Sequence, residues 1–208
     1  METLEQLGVI PVDYSVLRSL FSDYSFPQNK IANLEREGKI VRLKRGQYIV
    51  SDKISRELIS PELIANHIYG PSYVSMESAL RFYGLIPEQV FSVRSMTTNR
   101  SRRFTNSIGI FEYITVNERY YSVGIKQQIV EDRYTFLIAS PEKALCDMIT
   151  ATPRLKLQSV KAMQIYLEED LRFDITRLEE FNKEVIAECI QTGKKADILR
   201  LLLKLVKL

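Results

Sequence analysis

Gln28, Asn29, Ala32 and Asn33 recur at spacings of one and four, which brings all of them onto one face of a helix. These side-chain types can read DNA. Asn and Gln bond bidentately to N6 and N7 of adenine, and a small Ala can contact a thymine methyl. Lys30 and Arg36 add positive charge to the same segment. Ser25 and the first amides of such a helix could hold a phosphate through N–H groups. A few residues on, "KIVRLKRGQYIV" (Lys39–Val50) carries Arg42, Lys44 and Arg45, which could meet phosphates or a minor groove. The bland alternative has equal standing at this point: amphipathic helices followed by hairpins are common, and exposed polar faces usually meet only water.

Elements that would position these residues can be read from the pattern. In "DYSVLRSLF" (Asp13–Phe21), Val16, Leu17, Leu20 and Phe21 form one apolar stripe, with Asp13 as N-cap. After a short break, Ser25 is a candidate N-cap and Pro27 falls in the first turn, where its missing N–H costs little. Phe26, Ile31 and Leu34 are expected to face a core, and Gly38 is a good stop. The stretch from Lys39 to Val50 alternates around a glycine, which predicts a β-hairpin. With Arg45-Gly46 as the turn, Leu43 pairs with Tyr48 and Val41 with Val50; a three-residue loop is the competing register, because Arg45 is poorly suited to a positive φ. Helix, break, helix and basic hairpin is the order of a winged helix-turn-helix.

The polar run "SDKISRE" (Ser51–Glu57) marks a boundary, giving domains of 1–52 and 53–208. Beyond it, "ISPELIANHIYG" and "VSMESALRFYGLIP" read as helices capped by Ser60 and Ser75. "QVFSVRSMTT", "SIGIFEYITV" and "RYTFLIAS" read as strands, and "SPEKALCDMI" as a helix again. Ser159–Glu168, Arg177–Ile190 and Lys194–Leu208 complete the helices. The last of these is apolar around most of its circumference, consistent with burial in the fold or with a dimer contact. The fold class expected is α+β: a winged helix-turn-helix followed by a larger mixed α/β domain with a small antiparallel sheet and C-terminal helices.

Arg94, Arg100, Arg102 and Arg103 lie in a stretch without an acidic residue from Ser92 to Phe111. This basic loop is a possible second anionic contact, with a solvated, balanced loop as the alternative. Tyr113, Tyr120, Tyr121 and Tyr134 could stack on bases but fit better as half-buried core. Glu142, Lys143 and Asp147 invite a catalytic reading, yet a capped helix burying Ala144, Leu145, Met148 and Ile149 explains them without one. His67 is the only histidine and reads as structural. No catalytic residue, metal site or cofactor is expected, since there is no CxxC or Cys/His cluster. The Asp-x-Asp pair of a nucleotidyltransferase is also absent.

Net charge is +3, and the two cysteines, Cys146 and Cys189, fall in helical patterns as buried free thiols. The start, "METLEQLGVIP", lacks the features of a signal peptide. The most apolar segment is far below the ~20 residues of a membrane span. A cytoplasmic protein without membrane contact is expected.

Three blocks, "KIANLEREGKIVRLKRGQYIV", "GPSYVSMESALRFYGLIPE" and "IASPEKALCDMI", stand in an order that resembles the AbiE-type antitoxin family of type IV toxin–antitoxin systems, linked to abortive phage infection. The resemblance frames about Lys30 to Ile149. It implies a winged helix that represses its own operon by binding inverted repeats in promoter DNA, with a homodimer on the DNA possible. It also implies a C-terminal domain that neutralises a nucleotidyltransferase-like toxin without a stable complex. Carried onto this chain, the recognition helix is Ser25–Glu37 and the wing Ile40–Val50, with little before Asp13 to make a full first helix. A protein-interaction module whose winged helix no longer binds DNA is the second reading; an enzyme acting on nucleotides is a third, disfavoured by the missing carboxylate pair.

Overall fold

The computed structural model describes residues 2–87 and 92–207, and the side chains from residue 4 onward. The start of one expected strand, Gln89 to Phe91, lies outside the described residues. The first fifty residues form α1 (Glu2–Glu5), β1 (Val12–Asp13), α2 (Tyr14–Leu20), α3 (Pro27–Arg36), β2 (Ile40–Lys44) and β3 (Gln47–Val50). The strands make an antiparallel sheet in the order β1-β3-β2. α1 is a single turn.

Leu17 of α2, Phe21 just past its end, and Ile31 and Leu34 of α3 close a small core with Ile40, Tyr48 and Val50 of the sheet. Each helix buries one narrow stripe. Val16, one residue round from Leu17, is 41% exposed, and Phe26 is 62% exposed, against the expectation that both face the core. Phe26, rather than Ser25, occupies the cap position of α3; its carbonyl accepts from the amides of Asn29 and Lys30, and no side chain caps the helix. A residue at the cap precedes the first helical turn, so its side chain leaves the apolar face that starts at Ile31.

The hairpin turns at Arg45-Gly46 and then takes the competing three-residue-loop register over the rest of its length. Lys44 pairs with Gln47 across the Arg45-Gly46 turn, but Arg42 then pairs with Tyr48, Val41 with Ile49 and Ile40 with Val50. Leu43 is the extra residue of a bulge. Gly46 carries the positive φ, +80°, and Arg45 is spared it. Alternation in this register puts Val41, Leu43 and Ile49 on one face, in or against a second core, and Ile40, Tyr48 and Val50 on the other, in the first. The hairpin is therefore packed on both faces.

That second core belongs to the rest of the chain. The rest of the chain begins with α4 (Asp52–Ser55), whose Ile54 packs against the first core, and goes on with α5 (Pro61–Ile68), β4 (Ser72–Val74), α6 (Met76–Phe82), β5 (Ser92–Thr97), β6 (Arg102–Thr105), β7 (Ile110–Thr115), α7 (Glu118–Tyr121), β8 (Ile125–Val130) and β9 (Tyr134–Ala139). α8 (Pro141–Ala151), α9 (Val160–Ile165), α10 (Lys183–Thr192) and α11 (Ala196–Leu205) follow. The sheet is six-stranded and mixed, in the order β6-β7-β5-β4-β9-β8. β5 runs parallel to β7 and β4 parallel to β9; the other pairs are antiparallel. This corrects the expectation of a small antiparallel sheet. β6 and β8 are edge strands, so "RRFT" and "IKQQIV" can be polar where central strands cannot. β4 is too short to show a period.

Ser60 and Ser140 cap α5 and α8 by accepting from the amides of Leu63 and Lys143. Ser75 stands at the cap of α6 but makes no cap bond; its hydroxyl is used elsewhere. The expected helix Arg177–Ile190 is two pieces, a short 3₁₀ segment (Ile175–Glu180) and α10, broken where Phe181 turns into the core and Asn182 caps α10. The helix expected over Ser159–Glu168 changes after Ile165 into one wide turn, Tyr166–Asp170. α11 buries Ile198, Leu199 and Leu202 against the fold. Among the described residues, no helix is long and apolar enough to cross a membrane.

Candidate nucleic-acid interface

α3 turns its amide face outward: Gln28, Asn29, Ala32, Asn33 and Arg36 are all exposed, because Ile31 and Leu34 fix the opposite face in the core. Gln28 and Asn29 have no side-chain partner among the described residues. Asn33 is partly engaged, its carbonyl oxygen accepting from Nη2 of Arg36 at 2.9 Å. Ser25 is exposed and Lys30 half-buried, its ammonium 5.2 Å from the centre of the Tyr24 ring.

The hairpin cations separate into three situations. Arg42 is half exposed but bound, its Nη2 lying 2.8 Å from Oε2 of Glu35, with its guanidinium over the Tyr48 ring. Lys44 reaches back and donates to the carbonyl of Ile68 at 2.6 Å. Arg45, at the turn, is exposed with no partner among the described residues. The positions thus meet the solvent to different degrees, which sequence alternation alone could not tell.

Lys44 has company. Gln47 donates to the carbonyl of His67, and Asn106, in the turn between β6 and β7, donates to the carbonyl of Leu43. The last carbonyls of α5, which no helix partner can satisfy, are taken up by the hairpin. The His67 side chain itself is exposed.

The second group of arginines divides likewise. Arg94 is internal: Nη1 lies 2.8 Å from Oε1 of Glu77, and Nε 3.7 Å from Glu112. It is therefore unsuited to an external anion, against the expectation for this group. Arg103 is 61% exposed and only loosely paired with Glu112 at 3.6 Å. Arg102 lies over the Tyr69 ring at 5.5 Å, and the Tyr69 hydroxyl donates to the carbonyl of Arg100. Arg100, Arg102 and Arg103 are exposed, and Arg102 and Arg103 belong to the edge strand β6 rather than to a loop.

Ile68 and Tyr69 connect the two groups. One accepts from Lys44 of the hairpin, and its neighbour carries Arg102 and holds Arg100. Two basic stretches far apart in sequence therefore adjoin, with Arg45 at one end and Arg100 and Arg102 at the other, while Arg103, one residue along the strand, lies on the opposite face with Glu112. Neither stretch contains a signal for this, since it depends on the hairpin's register and on where α5 ends.

A separate polar cluster lies deep in the larger core. Lys143 and Asp147, one turn apart on α8, are fully buried with Nζ and Oδ1 3.3 Å apart, an ion-pair distance without hydrogen-bond geometry. Lys143 donates to the carbonyl of Tyr120 at 2.8 Å and sits 3.0 Å from the centre of that ring. Asp147 accepts from the Ser75 hydroxyl at 2.6 Å. Burial pushes the Asp147 carboxyl above its usual range, with Lys143 and Ser75 acting against the shift. Burial likewise raises the phenols of Tyr73 and Tyr120. Cys146 and Cys189 are free and buried. The capped-helix reading of this segment accounts for Ala144, Leu145 and Ile149 but missed that Lys143 and Asp147 share the burial. No group of His, Cys, Asp and Glu among the described residues could hold a metal ion.

Compared with known proteins, the chain matches no protein-family model and no curated protein.

Proposed function

We propose that the first fifty residues are a winged helix-turn-helix that binds duplex DNA, with α3 as recognition helix and β2–β3 as wing. In this reading the protein is an antitoxin of the AbiE type. It represses its own operon at inverted repeats, as a homodimer, and opposes a nucleotidyltransferase-like toxin through the larger domain without a stable complex. The observation that carries the DNA-binding part is the exposed amide face of α3, in a chain that also exposes unpaired cations on its hairpin and at β6. The cationic surface runs from Arg45 to Arg100 and Arg102. A face bearing Gln28, Asn29 and Asn33 can read adenines in a major groove. The exposed cations would hold phosphates and set the register.

Lys44 and Arg94 are left out of the DNA-binding surface, each already committed to groups within the protein. Arg42 and Arg36 would have to release Glu35 and Asn33 to reach DNA, an exchange of partners at exposed positions that costs little. The test is a gel shift or anisotropy titration on the DNA upstream of the protein's own gene. Asn29→Ala with Asn33→Ala is expected to cost ~1–3 kcal/mol for each base that is no longer read and to relax sequence preference. Absence of a protected inverted repeat at moderate salt would overturn the reading.

One observation favours the second reading, a protein-interaction module that no longer binds DNA. Arg36, Arg42 and Lys44, which should be free to meet DNA, instead have partners inside the chain. The same titration separates the two.

A further inference from the structure

A cleft of about 480 Å³ opens on the larger domain, lined by Met96, Ile114, Val116, Tyr120, Ala151 and Lys194 among others. That size falls in the range of ligand pockets, which are apolar with a few placed polar groups. Its position also has a physical rationale. The parallel strands β5 and β7 both end here, at Thr97 and Thr115, and α8 and α10 end beside them at Ala151 and Thr192. Crevices at the carboxyl ends of parallel strands are where open sheets bind ligands.

The walls are fixed rather than pliable. Asn117 accepts from the amide of Tyr120 and donates to the carbonyl of Thr192, which ties α7 to the end of α10. Tyr120 lies flat enough on Gly193 that a Cβ there would meet the ring at 2.5 Å. The polar groups of the walls are mostly satisfied internally: Thr115 donates to the carbonyl of Asn99 and Thr150 to that of Asp147.

Two lysines, Lys194 and Lys195, stand beside the cleft. Lys195 donates to the carbonyls of Ile149 and Thr152, offsetting the negative end of α8. Its neighbour Lys194 is exposed, lines the cleft and has no partner among the described residues. No acidic side chain is present among the described residues that line the cleft.

We propose that this cleft binds a small amphipathic monoanion, its apolar body on Met96, Ile114, Val116 and Tyr120 and its carboxylate or sulfonate on Lys194. The site is independent of the DNA-binding reading and stands or falls without it.

The experiment uses the full chain and 8-anilinonaphthalene-1-sulfonate, an aromatic body with one sulfonate. Saturable, blue-shifted fluorescence at one site per chain is expected, displaced by decanoate and not by decyltrimethylammonium. Lys194→Glu, at an exposed position, is expected to weaken the affinity about tenfold or more, since it removes one charge-assisted hydrogen bond and introduces a repulsive charge. Ala151→Phe, which fills the cleft, is expected to abolish saturable binding with an unchanged circular dichroism spectrum. If the Phe variant fails to fold, Lys194→Glu and the displacement pair decide the matter. No saturable binding, or an affinity indifferent to Lys194→Glu, would overturn the proposal.

Discussion

Replacing Lys143 by Met tests the account of the buried pair most directly. Met matches the lysine stem and removes only the ammonium, leaving Asp147 fully buried with Ser75 as its remaining hydrogen-bond donor. Breaking a buried pair in this way typically costs about 3–5 kcal/mol, because the remaining charge has no compensation. The carboxyl can escape by keeping its proton. Holding a proton on a group whose ordinary pKa is about 3.9 costs about 1.4 kcal/mol per pH unit above that value, or about 4 kcal/mol at pH 7. The two routes agree.

The sign of the pH dependence follows from the direction of the shift. Burial raises the folded-state pKa of Asp147. A carboxyl so raised contributes its full stability below its ordinary value and loses it as pH climbs toward the folded-state value. In Lys143→Met that loss is no longer opposed by the ammonium. The stability difference between wild type and variant is therefore expected to be small near pH 4 and to grow to about 4 kcal/mol at neutrality. Urea unfolding of both proteins at several pH values from 4 to 7.5 measures it. Adding Asp147→Leu to the variant should restore most of the stability and flatten the pH dependence, since an apolar replacement of a whole buried pair is often neutral. A Lys143→Met protein as stable as wild type at pH 7, or equally destabilised at all pH values, would refute the reasoning.

Other expectations are more local. Gly193→Ala drives a Cβ into the Tyr120 ring and should cost about 1–3 kcal/mol in a urea titration, as overpacking does. Leu43→Ala removes the bulged side chain from the larger core and should cost about 2–5 kcal/mol, although a wing free of that core would lose almost nothing. Arg45→Ala combined with Arg102→Ala should lower the salt dependence of DNA binding by about 0.9 for each phosphate no longer neutralised. Arg94→Ala should leave that slope unchanged and cost stability instead, since it strands Glu77.

Part of the local chemistry, where it depends on neighbours along the chain, was legible, although the caps expected of Ser25 and Ser75 do not form. The Ser-Pro-Glu starts announced capped helices, and Ser60 and Ser140 do accept from the third amide beyond them. The glycine turn announced a hairpin, and Ile31 with Leu34 announced which face of α3 would be buried, leaving the amides outside. Such features rest on i to i+4 spacing and on two-residue alternation, which the order of residues contains.

What depended on distant partners was not legible. "KIVRLKRGQYIV" leaves two registers open, and nothing in it shows that a second core covers the other face of the hairpin or that Lys44 spends its charge on the end of α5. Arg94, Arg102 and Arg103 look alike in "RSMTTNRSRRF". The sheet alone separates the first, held by Glu77, from the others, exposed on an edge. Lys143 and Asp147 read as the polar side of an amphipathic helix until the fold covers that side too. The amino-acid order therefore determined most of the helices, the hairpin and the amide face, but not the breaks at Tyr166 and Phe181. Tertiary structure decided which charges remain free to meet another molecule, because a charge is free only when no distant group has already neutralised it.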